Sequence, residues 1–243
     1  MKDLDVVITM GGLGSRFREA GYNIPKFMIE AKGRSLFEWS MVSLDGYSKY
    51  VNQYIFIVMS DSVVNVESFI IQHCKQLGIK NYKIIVIDYL TDGQATTALL
   101  ASKYWNPNNA ILIYNIDTYV EPGQMTYSEL KGDGFIPCFE GEGDHWSFVR
   151  LDVSGRVVEI KEKKRISQYC TLGAYYFKSC RLYEQLYTEY YNKGLNSLNG
   201  ERFVAPLYDY LLSKGGEVFI SNVPKEKVHV LGTPFELETF LNS

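Results

Sequence analysis

The sequence predicts an α/β fold built on a doubly wound parallel sheet. Two observations support this prediction: short apolar runs bounded by polar or turn residues, and stretches between them with apolar residues at helical spacing. The apolar runs cover residues 6–10, 54–59, 83–87 and 110–114, and the helical stretches cover residues 36–44, 63–77 and 96–104. Because strands and helices alternate over this first half, we expect ligands at the carboxyl ends of the strands.

The second half has a different pattern, which predicts antiparallel strands forming one wall of a site. Its apolar runs alternate with glycine-containing turns and cover residues 135–140, 146–152, 157–160 and 171–177. Two helices are expected at about 180–193 and 203–214, separated by a polar turn at 194–200. Since no linker rich in proline or serine interrupts the chain, we expect one domain over 1–243, with halves at about 1–117 and 118–243.

The composition excludes several classes of protein. With 243 residues, 46% of them hydrophobic, and a net charge of −3, the chain is neither disordered nor a coat for nucleic acid or acidic membrane. Its four cysteines include no CxxC pair, so neither a zinc site nor a disulfide framework is expected: Cys74, Cys138, Cys170 and Cys180. No apolar run approaches the roughly 18 residues that span a bilayer. These features favour a cytoplasmic protein without nucleic-acid or membrane partners.

A glycine loop follows the first predicted strand and is the strongest candidate for ligand binding. The loop contains Met10, Gly11, Gly12, Leu13, Gly14, Ser15, Arg16 and Phe17. Glycines allow backbone N–H groups to approach phosphate oxygens closely. The loop departs from GxGxxG at Phe17, and no GK[ST] follows. On its own, such a loop is about as often a structural turn.

Two cations near this loop favour the phosphate interpretation. Arg16 adds a permanently charged bidentate donor, and Lys26 follows Pro25, which stiffens the segment. A glycine cradle with two cations suits a triphosphate.

The segment GGLGSRF, followed by Pro25-Lys26-Phe27-Met28, resembles the signature of the nucleoside-triphosphate transferases that make activated sugars. That family includes glucose-1-phosphate thymidylyltransferases, mannose-1-phosphate guanylyltransferases and cytidylyltransferases acting on phosphocholine for bacterial surface polysaccharides. The resemblance covers nearly the whole chain. It implies a Rossmann-like, glycosyltransferase-A-type fold, transfer from a nucleoside triphosphate to a phosphorylated acceptor, release of pyrophosphate, and Mg²⁺ as cofactor.

Two further segments resemble the family's nucleotide site. Asp92 and Gly93 open a segment similar to the family's second glycine segment, whose backbone contacts the nucleobase. Asp117, after Asn115-Ile116, resembles the metal-binding aspartate of the family, and a carboxylate at the end of a strand suits Mg²⁺. Without the resemblance, the first segment is an ordinary start of a helix and Asp117 a turn or helix cap.

The acceptor site is implied by three later segments. Glu162 and Lys163 fall on the family's positions for the acceptor hydroxyl and the acceptor phosphate. If the match were displaced by two residues, Lys161 would take the phosphate-binding position instead of Lys163. Gly173 lies in a segment that resembles the lining of the acceptor pocket, and Glu201 lies where family members contact the acceptor. A charge run such as KEKKR is more usually a solvated strand end.

One position departs from the family pattern. The family has a second metal-binding aspartate two residues before a Gly-Thr pair, and this chain has Val230 there. Either Asp117 holds the metal with phosphates and water, or another acidic residue substitutes, or the chain binds nucleotide without turnover. His229 is expected on the opposite strand face. His73 and His145 are expected to pack or to face solvent.

The resemblance implies in-line attack by the acceptor phosphate on the α-phosphorus, with Arg16, Lys26, Asp117 and Lys163 as the catalytic residues. Two other functions stay open. One is a glycosyltransferase of the same fold that uses nucleotide sugars, although Asn115 stands where a DxD motif has its first aspartate. The other is an inactive nucleotide-binding regulatory subunit. Val230 and the short chain favour the cytidylyltransferase branch, and the oligomeric state is not predicted.

Overall fold

The computed structural model describes residues 3–191 and 200–243. The strands are β1 (Leu4–Met10), β2 (Glu30–Ala31), β3 (Arg34–Ser35), β4 (Val51–Met59), β5 (Tyr82–Ile87), β6 (Ala110–Asn115), β7 (Thr118–Val120), β8 (Gly134–Glu140), β9 (Ser147–Leu151), β10 (Val157–Glu162), β11 (Tyr169–Thr171), β12 (Ala174–Phe177), β13 (Val218–Asn222) and β14 (Val228–Val230). The helices are α1 (Ser15–Glu19), α2 (Leu36–Val42), α3 (Val66–Gln76), α4 (Gln94–Leu99), α5 (Cys180–Tyr191), α6 (Ala205–Ser213) and α7 (Pro234–Asn242).

The N-terminal half forms the parallel part of a ten-stranded sheet, as predicted. Strands β5, β4, β1 and β6 lie side by side in that order and are all parallel. Successive residues of β1 are buried against opposite layers: Val6 belongs to the cluster that contains Phe37 and Ile70 of α2 and α3, and Val7 to the cluster that contains Ala98 of α4. Burial on both faces explains why these strands are apolar without alternation.

The C-terminal half extends the same sheet with antiparallel strands, again as predicted. The order continues from β6 through β12, β8, β11 and β9 to β10, and β13 adds to β8 in parallel. The predicted strand 171–177 is divided into β11 and β12, because the chain turns at Gly173 with φ of +76°. The mixed sheet, with its antiparallel extension, confirms the predicted Rossmann-like fold.

Several short elements were not predicted. Strands β7 and β14 pair with one another in a separate two-stranded sheet of the described residues, and with three residues each, neither is long enough to show a period of two. Helix α7 begins at the cap Thr233, in a segment interpreted only through its Gly-Thr pair. The helix predicted over 96–104 is α4 followed by a 3₁₀ turn at Leu100–Lys103. The predicted turn 194–200 lies mostly outside the described residues.

No helix in the described part of the chain combines the length and the apolar character needed to cross a membrane.

Candidate active site

A cleft of about 810 Å³ opens at the carboxyl ends of β1 and β6, with the antiparallel extension as its opposite wall. The cleft is lined by eleven of the residues singled out in the sequence: Gly11, Gly12, Arg16, Lys26, Asp92, Gly93, Asp117, Glu162, Lys163, Gly173 and Glu201. Met10 and Ser15 instead line a separate cavity of about 400 Å³ behind the loop, and Gly14 lines neither. The assignment of a nucleotide contact to these last three residues therefore has no support from the cavity geometry.

The glycine loop is shaped by its contacts with neighbouring elements. A Cβ on Gly11 would lie 3.3 Å from Ile87 Cδ1 and 3.4 Å from Thr97 Cγ2, so a side chain at this position would crowd β5 and α4. Gly14 adopts a left-handed conformation, and its carbonyl accepts hydrogen bonds from the first turn of α1, which contains Arg16. The tight turn thus brings Arg16 to the edge of the cleft.

The basic residues near the glycine loop differ in whether a carboxylate lies close to them. Lys26 Nζ lies 2.6 Å from Asp117 Oδ2, and both side chains are partly buried. Arg16 is exposed and has no carboxylate within 4.0 Å among residues 3–191 and 200–243. Its neighbour Arg18 pairs with Asp61 outside the cleft. Arg16 is therefore a cation available to an anionic ligand.

The second glycine segment, which begins with Asp92 and Gly93, contacts the backbone and side chain of Arg202. Arg202 Nε lies 2.9 Å from Asp92 Oδ2, and Ala95 N donates to the Arg202 carbonyl at 3.0 Å. Gly93 has φ of +136°, and a Cβ there would lie 2.6 Å from the Arg202 backbone nitrogen. Only glycine fits this crossing, which joins the two halves of the chain across the cleft.

A polar network lines the end of the cleft near this crossing. Gln94 Nε2 donates to Asn115 Oδ1 and, at 3.2 Å, to Thr9 Oγ1. The Thr91 and Thr97 hydroxyls share a hydrogen bond of 2.6 Å. Asn115 stands at the first position of a DxD-type pair. Its side chain is a neutral amide, and its Oδ1 is already occupied by the hydrogen bond from Gln94. This arrangement does not favour the glycosyltransferase alternative.

The opposite wall carries a partly buried acidic group. Glu162 Oε2 accepts a hydrogen bond from Ser147 Oγ, whose hydroxyl lies 3.5 Å from the Tyr175 hydroxyl. Burial raises the pKa of Glu162, and the nearby charge of Glu201 acts in the same direction, although Ser147 and Lys163 oppose it. Burial also raises the pKa of Tyr175 to about 12, so Tyr175 is a neutral hydrogen-bonding group at neutral pH.

Of Lys161 and Lys163, only Lys163 lines the cleft. Lys161 Nζ pairs with Asp209 at 3.0 Å and is not among the residues that line the cleft. Lys163 lines the cleft, 3.7 Å from Glu201 and 4.4 Å from the ring centroid of Phe203. Lys163 also has φ of +52°, a conformation that a non-glycine residue seldom adopts.

The histidines occupy the predicted kinds of position. His229 stacks on Tyr119 and does not line the cleft, whereas Val230, on the other strand face, does. His73 stacks on Phe69, and its Nδ1 lies 2.8 Å from the Phe69 carbonyl. His145 is exposed, as expected, at the rim of the cleft.

The residues beside Asp117 fit the divalent cation that the family resemblance implies. A Cβ on Gly232 would lie 3.3 Å from Asp117 Oδ2 and 3.5 Å from Glu236 Oε2, so a glycine leaves open a small space flanked by two carboxylates. No group of three or more His, Cys, Asp or Glu side chains in the described residues could hold a metal alone. Two carboxylates with phosphate oxygens and water suit Mg²⁺.

Several lining residues were missed from the sequence. They are Thr9, Trp146, Ser147, Thr171, Phe203 and Glu236. Ser147 begins β9 and Trp146 precedes it, and their only sequence signal was membership of a predicted strand. Glu236 carried the pattern of a helix cap, which hid its position at the cleft.

The structure and sequence are similar to those of known nucleotidyltransferases. A nucleoside-diphosphate-sugar pyrophosphorylase from Vibrio cholerae superposes with a TM-score of 0.88 and 33% identity, covering 98% of this chain and all of that chain. A protein of Sulfolobus acidocaldarius named "Putative mannose-1-phosphate guanyltransferase" is 24% identical over 182 residues, which are 72% of this chain. The match spans about half the length of this curated relative, 48%. No protein-family model matches the chain.

More distant structures share the fold. The CTP:phosphocholine cytidylyltransferase of Streptococcus pneumoniae superposes with a TM-score of 0.70 and 15% identity, covering 99% of this chain and 98% of that chain. At this identity the likeness concerns the fold alone.

Proposed function

The chain belongs to the nucleoside-diphosphate-sugar pyrophosphorylase family, and on that premise we propose that it transfers a nucleoside monophosphate from a nucleoside triphosphate to a phosphorylated acceptor, releasing pyrophosphate. It is a nucleotidyltransferase. The proposed acceptor is a sugar 1-phosphate or another small phosphorylated group, and the product an activated precursor of surface polysaccharide.

One observation carries this proposal: cations on two walls of one cleft. Arg16 and Lys26 lie at the glycine loop, and Lys163 lies on the antiparallel extension. A reaction that joins two phosphorylated molecules must bring two polyanions together. Such a reaction needs separate cationic groups for the two molecules, because their negative charges repel each other.

In the proposed mechanism, an acceptor phosphate oxygen attacks the α-phosphorus in line, and the bond to the β-phosphate breaks, with its electron pair leaving on pyrophosphate. No general base is needed, because the second pKa of a phosphate monoester is about 6. Arg16 binds the β- and γ-phosphates and the leaving pyrophosphate, and Lys26 binds near the α-phosphate. Lys163 binds the acceptor phosphate. Glu162 and Glu201 orient the acceptor hydroxyls.

Mg²⁺ is the proposed cofactor, and Asp117 would hold it. When bound, it supplies positive charge that neutralises the triphosphate. Lys26 Nζ, 2.6 Å from Asp117 Oδ2, balances part of the carboxylate charge until then.

We also propose that the chain works as a single domain in the cytoplasm, where nucleoside triphosphates are abundant. All four cysteines are buried and free of disulfides, which supports a reducing compartment.

Nucleotide binding is tested with a thermal-shift panel of CTP, UTP, dTTP, GTP and ATP, each with and without Mg²⁺. A ligand that binds the native state raises its stability by RT ln(1 + [L]/Kd). We expect a Mg²⁺-assisted shift selective for one base, lost in Arg16→Ala and kept in the control Arg18→Ala. No shift with any triphosphate at millimolar concentration would overturn the proposal.

A further inference from the structure

Glu236 has a carboxylate oxygen that is buried without a hydrogen-bond partner. No donor in residues 3–191 and 200–243 reaches its Oε2 atom. The other buried side-chain oxygens without a partner in those ranges are hydroxyls, of Ser40, Tyr47 and Ser221. A buried carboxylate oxygen loses its hydration and gains nothing in return, so this arrangement is unfavourable unless a ligand completes it.

Helix capping does not account for this side chain. Glu236 is the third residue of α7, and its backbone N–H donates to Thr233 Oγ1 at 3.2 Å. In this pattern the glutamate carboxylate usually returns to the backbone N–H of the cap. Glu38 does so at 2.8 Å and Glu129 at 2.9 Å. The carboxylate of Glu236 makes no such bond and lines the cleft instead.

The unpartnered oxygen lies beside Asp117. A Cβ on Gly232 would lie 3.5 Å from Glu236 Oε2 and 3.3 Å from Asp117 Oδ2, so the two oxygens flank one small space. Lys26 pairs with Asp117 at 2.6 Å, and no salt bridge of Glu236 is found in the described ranges. One ammonium balances one of two neighbouring carboxylates, whereas a divalent cation balances both.

We propose that Glu236 is the second carboxylate ligand of the divalent cation, in place of the aspartate that the family resemblance implies at the position of Val230. Val230 pairs with Thr118, next to Asp117, and lines the same wall of the cleft. The metal position is thus kept while its carboxylate comes from α7 and not from β14. This inference rests on the proposed function, because the cation serves the triphosphate.

The test is Mn²⁺ binding followed by electron paramagnetic resonance of the free ion, with no nucleotide present. We expect Glu236→Gln to weaken Mn²⁺ binding at least tenfold, since even groups that only support a metal ligand change affinity by about 10- to 100-fold. The matched control is Glu129→Gln, which alters a glutamate at the same helical position in a closed cap. Unchanged Mn²⁺ affinity in Glu236→Gln would overturn the proposal.

A second variant places a carboxylate on β14, at position 230. Val230→Asp in the Glu236→Gln background is expected to restore most of the Mn²⁺ affinity. In metal-free buffer, Glu236→Gln is expected to melt at or above the wild-type temperature, because it removes an unpaired buried charge. A lower melting temperature together with unchanged Mn²⁺ affinity would assign Glu236 a structural role and contradict the proposal.

These outcomes are separable from those of the proposed function. If wild type binds no triphosphate, the proposed function fails, and the Mn²⁺ titration still decides the role of Glu236. If wild type binds a triphosphate and Glu236→Gln keeps the full Mg²⁺-dependent shift that Asp117→Asn loses, the proposed function stands and the inference about Glu236 fails.

Discussion

The Lys26 ammonium lies 2.6 Å from Oδ2 of Asp117 and links the segment after the glycine loop to the end of β6. The side chains of the pair are 20% and 25% exposed, so both groups lose much of their hydration, and this cost offsets much of their mutual attraction. In the proposed mechanism, the pair places a cation and an anion side by side where the triphosphate and its metal would bind.

Replacing Arg16 by alanine is predicted to reduce the rate of pyrophosphate release by roughly 10²-fold or more, as for single oxyanion donors in other enzymes. Arg16 has no carboxylate partner in the described residues, so the variant is expected to fold normally. Steady-state kinetics measure the effect, with Arg18→Ala as control. A rate within a few-fold of wild type would show that Arg16 does not bind the phosphates.

Lys163→Met is predicted to raise the KM for the acceptor at least tenfold and to leave the thermal shift with nucleotide unchanged, because Lys163 lies on the wall of the cleft that we propose to bind the acceptor. The matched control is Lys161→Met, since Lys161 pairs with Asp209 away from the cleft. Equal effects of the two substitutions on the acceptor KM would contradict the assignment of Lys163.

Glu162→Gln is predicted to make stability less dependent on pH. The pKa of Glu162 is raised in the folded protein, chiefly by burial, so the native state binds its proton more tightly than the unfolded state. Wild type therefore loses stability as the pH rises from the unfolded pKa of about 4.3 through the raised folded value. The glutamine variant lacks this loss.

Urea denaturation at pH 4 and pH 7.5 measures this effect. The stability difference between Glu162→Gln and wild type is expected to move in favour of the variant as the pH rises, while its acceptor KM increases. A difference that is the same at both pH values would mean that Glu162 is not held in an unfavourable environment.

Gly93→Ala is predicted to destabilise the protein by about 1–3 kcal/mol or more, because alanine is strained at φ of +136° and its Cβ would meet the Arg202 backbone. The control is Gly155→Ala, where φ is +80° and no atom lies within 4 Å of the added Cβ. Chemical denaturation measures both. If the two variants lose equal stability, the contact between Gly93 and Arg202 contributes nothing beyond backbone strain.

Most of the sheet was predictable from the sequence because its strands are long and buried. β4 and β6 are apolar runs between polar turns, and their pattern depends only on neighbouring residues. β7 and β14 were not predictable, since three residues carry no period and their pairing joins segments about a hundred residues apart.

The candidate site divides in the same way. Arg16 and Lys26 belong to local motifs and could be named from the sequence. Lys161 and Lys163 have the same parity and would share a face in a continuous strand. The strand ends at Glu162, and the left-handed conformation of Lys163 sends the two lysines to different surroundings. Glu236 has only the sequence pattern of a helix cap, and its place at the cleft depends on contacts across the fold.

The transferase activity is tested most directly by pyrophosphate release from the purified protein with Mg²⁺, the triphosphate selected by thermal shift, and a panel of sugar 1-phosphates and phosphocholine. We expect release that depends on both substrates and falls by about 10²-fold in Arg16→Ala. Binding of the triphosphate without pyrophosphate release for any acceptor would contradict the transferase activity and favour a nucleotide-binding regulatory subunit.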